Sequence, residues 1–271
     1  MKTRVLCIFA ALLASPVAAL ETISANYLAY SPESSNIVGS ILGGPWGDEV
    51  DISLTIGRFL MERTGGTADA VPLGGTLTNH FLAFCVEPQQ FLAASATYEL
   101  VPLSQAASGI GGIGNVAALQ LRELFGRFAP GGGFADNMPT SHAAAFQVAI
   151  WEIVSDQAGS LNLSSGNFSM VRDSNSAIFD LAQGWLNSID GTGPLAAGLR
   201  ALRNGTLGDR NSGSQDILIF TRILDPIPEP NTWVMITAGF GLIGTIMRRR
   251  MSFNRGATPL SNKVTIEEQI W

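Results

Sequence analysis

Residues 51–56 read DISLTI, and polar side chains alternate with apolar ones along this stretch. Because successive side chains of a β-strand point to opposite faces, the alternation predicts a strand with one buried face. Other stretches in the first half are rich in β-branched and aromatic residues and lie between turn residues. The predicted strands cover residues 22–30, 36–42, 50–60, 76–86 and 96–103.

The middle of the chain changes from strand spacing to helical spacing. Helices are predicted at 115–128, with Asn115 as N-cap, and at 141–156 and 173–189. Glu152 and Asp156 lie one turn apart and are expected on a solvent face. Residues 215–224 return to a strand pattern. Strands, then helices, then a strand predict an α+β fold, a β-sandwich or barrel with a helical insertion.

The first 19 residues have the three parts of a secretory signal peptide. Lys2 and Arg4 precede a short apolar run at 5–13, and small residues follow at 17–19. The run is too short to span a bilayer, which needs about 20 apolar residues. We therefore expect cleavage after Ala19 and export of the remaining chain.

The C-terminal region has a second three-part segment. Residues 227–233 read IPEPNTW, an apolar run follows at 234–247, and Arg248-Arg249-Arg250 closes it. The prolines interrupt regular structure, and the arginines favour the cytoplasmic side of a membrane. We expect a C-terminal hydrophobic helix over 226–250 that initially anchors the protein in the inner membrane.

This segment resembles the PEP-CTERM sorting signal of Gram-negative bacteria. The residues that carry the resemblance are Pro228-Glu229-Pro230, the glycine-rich apolar run and Arg248 to Arg250. The resemblance implies processing by an exosortase and a final place at the cell envelope, outer surface or extracellular matrix, often beside exopolysaccharide. Residues 251–271 form an extension past the arginines, where members of that family usually stop.

Residues 20–225 remain as one extracytoplasmic domain with an acidic balance. This region has nine arginines, no lysine and 19 acidic residues, a net charge of −10. Such a surface repels phosphates, which excludes nucleic acids as partners. The region shows no metal-ligand spacing or cofactor motif that we can defend, so neither a metal nor a cofactor is expected.

One cysteine and one glutamine stand out within this domain. Cys85 is the single cysteine after signal removal and lies near the end of the strand predicted at residues 76–86. Gln147 lies on a predicted helix among alanine, phenylalanine, valine and isoleucine. A buried amide needs hydrogen bonds or it costs free energy. A thioester between the Cys85 thiol and the Gln147 carbonyl is one chemical resolution.

Both segments resemble the bacterial thioester domain of surface adhesins. The matching motifs are Phe84-Cys85-Val86 and the stretch FQVAIW at 146–151, and GSQD at 213–216 is also similar. The resemblance implies a Cys85–Gln147 thioester that a partner amine opens, leaving an amide crosslink for adhesion or matrix attachment. Phe84, Phe146 and Trp151 are expected to shield the bond from water. The bond acts once, so an enzyme is not expected.

Two other interpretations remain open. Cys85 with a histidine base is the pattern of a hydrolase. His80 is expected on the opposite strand face from Cys85, which leaves His142 at the start of the Gln147 helix. Alternatively the protein is an inert structural component of the matrix, with Cys85 a buried thiol and Gln147 hydrogen-bonded.

Overall fold

The computed structural model describes residues 20–44, 47–70, 72–75, 77–107, 111–129, 137–156, 160–204 and 213–222. The chain divides into two units, residues 1–223 and 224–271. The predicted signal peptide, sorting segment and C-terminal extension all lie outside the described residues. Within the described ranges, no helix is both long and apolar enough to cross a membrane.

The described part contains nine strands and three α-helices. The strands are β1 (Thr22–Tyr30), β2 (Ser35–Gly44), β3 (Gly47–Ile56), β4 (Phe59–Gly65), β5 (His80–Cys85), β6 (Ser95–Val101), β7 (Phe168–Met170), β8 (Leu199–Arg203) and β9 (Ile217–Phe220). The helices are α1 (Gly114–Phe128), α2 (Thr140–Ser155) and α3 (Ser176–Leu186).

Six strands close into an antiparallel barrel in the order β1-β4-β5-β9-β8-β6. A separate sheet has the order β3-β2-β7. All three helices lie between β6 and β8 along the chain. The predicted fold class is therefore confirmed in its barrel form, with the helices inserted between two strands of a mostly β structure.

The prediction of one strand over residues 50–60 is wrong. The chain turns at Gly57 and Arg58, so β3 ends at Ile56 and β4 begins at Phe59 in another sheet. Gly57 has a φ of 150°, a region that residues with a Cβ rarely adopt. A Cβ there would also lie 3.2 Å from the Tyr30 ring and from the Glu33 carbonyl oxygen.

Two smaller predictions also need correction, and two short strands are missing from the predicted set. Ile113 is the N-cap of α1, and Asn115 lies inside the helix. Glu152 is fully buried rather than on a solvent face, because α2 is buried on all sides from Ala143 to Val154. The short strands β7 and β8 were not predicted, since neither has a long alternating pattern.

Aromatic side chains join the barrel to the helices. The Phe84 ring of β5 lies 5.8 Å from Phe125 of α1 and 5.9 Å from Phe146 of α2, between ring centroids. Phe125 and Phe146 stack at 4.9 Å, and Phe146 also contacts Trp185 of α3 at 4.6 Å. Such pairs stabilise beyond their buried area, so they hold α2 firmly against the end of β5.

Candidate functional site

Cys85 is the last residue of β5 and is only 3% exposed. Its neighbour Phe84 packs into the aromatic cluster with Phe125 and Phe146. Because adjacent strand residues point to opposite faces, the Cys85 side chain points away from that cluster. The Cys85 thiol donates a hydrogen bond to the carbonyl oxygen of Glu87 at 3.2 Å.

The Gln147 side chain hydrogen-bonds to the backbone of Cys85 rather than to its thiol. The Cys85 N–H donates to Gln147 Oε1 at 2.9 Å, and Gln147 Nε2 donates to the Cys85 carbonyl oxygen at 2.8 Å. Strand β4 ends its pairing with β5 at Phe59 opposite Ala83, so it does not reach Cys85. The Gln147 carboxamide takes the place of a neighbouring strand, and both of its polar ends are satisfied.

Gln215 is the glutamine whose side-chain amide contacts the Cys85 thiol. In the orientation that satisfies its hydrogen bonds, the amide nitrogen donates to the carbonyl oxygens of Glu87 at 3.3 Å and Gln90 at 3.1 Å. The Gln215 backbone N–H donates to the Phe91 carbonyl oxygen at 3.1 Å. Gln215 is 3% exposed, so the contact with Cys85 is nearly closed to solvent.

The residues on either side of Gln215 hold it in place. Ser214 Oγ lies 2.8 Å from the Tyr98 hydroxyl and accepts from the Ala93 N–H at 3.1 Å. On the other side, the Asp216 carboxylate accepts from the Asn204 N–H at 2.7 Å, and its carbonyl oxygen accepts from the Val86 N–H at 3.0 Å. These bonds tie the segment before β9 to the end of β5, because Val86 directly follows Cys85.

Burial disfavours the charged form of the Cys85 side chain. Burial raises the pKa of Cys85 strongly, and the nearby charge of Glu87 raises it further. The Trp151 indole N–H acts against burial and lowers the pKa of the thiol. That N–H makes no hydrogen bond of ordinary geometry within the described ranges, so it acts on the thiol as a nearby dipole. Burial dominates, which makes the isolated thiolate unfavourable.

A cleft of about 380 Å³ opens onto Cys85, Gln147 and Gln215. Five aromatic residues line it: Tyr27, Tyr30, Phe59, Phe91 and Trp151. Its uncharged polar lining includes Ser53, Thr55 and Gln90. A volume in this range suits a small molecule or a single side chain. The cleft therefore opens toward the buried thiol of Cys85.

The residues expected to shield the thioester divide between two places. Trp151 lines the cleft beside Cys85. Phe84 and Phe146 lie in the aromatic cluster and close the opposite side of β5. The stretch GSQD at 213–216 is part of the sequence resemblance, but the sequence alone assigns no role to Gln215. Tyr98 gave no signal, because its partner Ser214 is distant along the chain.

The two histidines lie apart from this cleft. The His142 ring is exposed and packs edge-on against Trp185, with centroids 5.5 Å apart. His80 is at the other end of β5 from Cys85. Neither is among the described residues that line the cleft. No group of three or more potential metal ligands occurs in the described part of the chain.

Comparison with known proteins identifies the C-terminal segment. Residues 226–250 match the PEP-CTERM protein-sorting motif, which confirms that part of the sequence analysis. The chain thus carries the sorting signal of exported proteins that an exosortase processes. No curated protein and no solved structure matches the chain.

Proposed function

We propose that Cys85 forms an internal thioester with Gln215, and that the protein uses it once to attach covalently to a partner amine. The contact between the Cys85 thiol and the Gln215 side-chain amide carries the proposal. The sulfur attacks the amide carbon, a C–S bond forms and the C–N bond breaks. The thiol proton leaves with the amide nitrogen as ammonia. No oxidant, metal or cofactor is needed for this balance.

The contacts favour Gln215 over Gln147 as the acyl partner. Both ends of the Gln147 carboxamide are bonded to the Cys85 backbone, at 2.9 and 2.8 Å. Using Gln147 for the bond would release these partners and leave a buried N–H and C=O, at about 1–3 kcal/mol each. In the proposed role Gln147 is a positioning residue that fixes the thiol toward Gln215.

The surroundings of the pair suit a stored electrophile. Cys85 and Gln215 are each 3% exposed, and water exclusion slows hydrolysis of a reactive bond. When an amine enters the cleft, its nitrogen attacks the Gln215 carbonyl carbon and the C–S bond breaks. The amine loses a proton, Cys85 regains its thiol, and a stable amide remains. Gln215 is consumed in this step, so we propose single-use crosslinking rather than enzymatic turnover.

The sorting motif sets the cellular context of this proposal. We propose that residues 20–225 form an extracytoplasmic domain, released from a signal peptide at 1–19 and carried by the segment at 226–250. The hydrophobic run first anchors the protein in the inner membrane, and exosortase processing delivers it to the envelope, surface or matrix. There the thioester would bond an amine of a surface or matrix component, in adhesion or matrix attachment.

The test is an intact-mass measurement on the purified protein and three variants. We expect the wild type and Gln147→Asn, compared with Cys85→Ala after allowance for the substitutions, to be lighter by one ammonia. Gln215→Ala should show no such deficit. A deficit lost in Gln147→Asn but kept in Gln215→Ala would assign the bond to Gln147 instead. If the wild type has its full sequence mass and a titratable thiol, the thioester proposal fails and the inert matrix protein is the remaining interpretation.

A further inference from the structure

The permanent positive charges of residues 20–225 come from arginine alone. This region has nine arginines and no lysine, and the chain's two lysines, Lys2 and Lys263, lie in the expected signal peptide and in the extension past Arg250. The arginine guanidinium stays protonated at any ordinary pH and is a poor nucleophile, whereas a lysine amine can lose its proton and attack. The domain therefore carries no side-chain amine that could open the proposed thioester.

Some of these arginines have a structural reason. The Arg63 guanidinium donates to the carbonyl oxygens of Ala68 at 2.6 Å and Ala70 at 3.0 Å. Arg122 donates to the two carbonyl oxygens of residues 196–197, at 2.9 and 3.0 Å. A planar guanidinium presents several donors in a fixed arrangement, which the ammonium group of lysine does not reproduce. At these two positions arginine is required by the fold, whatever the chemistry of Cys85.

Two exposed arginines could be lysines at little cost to folding. Arg200 is exposed on β8. Arg172 pairs with Asp180 at 2.7 Å, but the two side chains are 55% and 56% exposed. So exposed an ion pair contributes about 0–1 kcal/mol to stability, and a lysine would carry the same charge. Folding stability therefore does not demand arginine at these positions, and nucleophilicity is the chemical property in which lysine differs.

The α-amino group that signal removal would leave at Leu20 lies far from the cleft. Strand β1 begins beside it at Thr22, whereas Tyr27 and Tyr30, toward the other end of the strand, line the cleft. At about 3.3 Å per residue, Leu20 is about 23 Å from Tyr27 along the strand. The α-amino group of one copy therefore does not reach Gln215 of the same copy.

We infer that residues 20–225 carry arginine in place of lysine so that copies of this domain do not crosslink to one another. The inference rests on the proposed thioester. Copies delivered to one envelope or matrix meet at a high effective concentration, so an accessible lysine on one copy would compete with the intended partner. Specificity can be gained by disabling the wrong partner, and the wrong partner here is a second copy of this chain.

Replacing an exposed arginine with lysine should create the missing reaction. The neutral Nζ of one copy attacks the Gln215 carbonyl carbon of another, the C–S bond breaks, and an amide joins the two copies. The proton lost by the amine returns to the Cys85 sulfur, so the covalent dimer weighs the same as its two monomers. The neutral fraction of a lysine with a pKa near 10.4 rises about tenfold with each pH unit, and dimer formation should rise by the same factor from pH 7.5 to 8.5.

The test uses the full chain with Lys2→Arg and Lys263→Arg as the lysine-free parent. Arg200→Lys and Arg172→Lys are added singly and together, and the concentrated proteins are followed by intact mass and denaturing electrophoresis. We expect covalent dimers in the lysine variants and none in the parent. Arg200→Gln removes the arginine without adding an amine, so this matched control should stay monomeric. Adding Cys85→Ala to the lysine variants should abolish the dimers.

Methylamine, added to the lysine-free parent, separates this inference from the proposed function. If methylamine forms no adduct, the thioester proposal fails and this inference fails with it. If methylamine adds but the lysine variants stay monomeric, the arginines have no protective role while the thioester stands. Dimers that form in the parent as fast as in the variants, or that persist with Cys85→Ala, would also overturn the inference.

Discussion

Replacing Glu152 with glutamine should remove a large pH dependence of folding stability. Glu152 lies in α2 and is fully buried. Its Oε1 accepts from the Asn162 N–H at 2.6 Å, while Oε2 finds no hydrogen-bond partner in the described part of the chain. Burial, together with the charge of Asp156, raises the pKa of Glu152 from 4.5 to about 8. The folded protein therefore keeps this side chain neutral at pH 7.

The size and sign of the effect follow from linkage. Below the unfolded pKa near 4.5, Glu152 is neutral in both the folded and the unfolded state, so its ionisation does not reduce the free energy of unfolding. As pH rises toward 8, the unfolded chain releases its proton while the folded chain retains it, so stability falls. The full loss is about 5 kcal/mol, since each pKa unit corresponds to about 1.4 kcal/mol. Above pH 8 the loss is complete and stability no longer depends on this group.

Urea unfolding, followed by tryptophan fluorescence at about pH 5, 7 and 9, measures this loss. The Glu152→Gln variant and its parent with Glu152 should both carry Cys85→Ala. Breakage of a thioester at high pH then does not contribute to the measured stability. Glu152→Gln should match its parent to within about 1 kcal/mol at pH 5 and exceed it by several kcal/mol at pH 9. Glu33→Gln, at an exposed position, is the control. If the free energy of unfolding changed from pH 5 to pH 9 in the same way with Glu152 present as in Glu152→Gln, the reasoning would be refuted.

Further predictions concern the site, a buried ion pair in α1, the C-terminal tail and export. Tyr98→Phe removes the 2.8 Å contact with Ser214 Oγ. We expect urea unfolding to show a loss of about 1–2 kcal/mol in the free energy of unfolding, and intact mass to show slower thioester formation. Unchanged thioester formation would contradict a role for Tyr98 in positioning Gln215. Glu123 is 1% exposed and paired with Arg127; Glu123→Gln should cost about 3 kcal/mol near neutral pH. Burial raises the pKa of Glu123, but the hydrogen bonds from Arg127 and from the N–H groups of Gly191, Gly193 and Asp190 together outweigh burial and lower the pKa. The cost of Glu123→Gln should therefore shrink in acid. Replacing Arg248–Arg250 with serines should alter membrane retention in cell fractionation, and a reporter fused at residue 200 should be active outside the cytoplasm.

Local patterns in the sequence were enough to predict the three helices and most of the strands. The strand predicted at residues 22–30 coincides with β1, and the second helix was placed within one residue at each end. Alternation and helical spacing are properties of neighbouring residues, so they can be recognised without knowledge of the fold. The turn at Gly57 was missed because apolar residues continue on both sides of it. Glu152 was wrongly predicted on a solvent face, because the sequence does not show that α2 is buried on all sides from Ala143 to Val154.

The composition of the site could not be predicted in the same way. Cys85 was identified from its number and context, but its contact with Gln215 depends on the pairing of β5 with β9, where Cys85 lies opposite Ile217. That pairing joins segments far apart in sequence, and local propensity does not specify such partners. Gln147 has the pattern of a buried amide, and only the early end of β4 explains why it bonds to backbone.

The most direct test of the Cys85–Gln215 bond is peptide mapping of the unreduced protein after mild proteolysis at low pH. The account predicts one crosslinked species that contains the peptide of Cys85 and the peptide of Gln215, lighter than their sum by one ammonia. The same species should disappear after treatment with an amine, which leaves Cys85 free to alkylate and the amine on Gln215. A Cys85 peptide that alkylates without prior treatment, or one joined to the Gln147 peptide, would contradict the account.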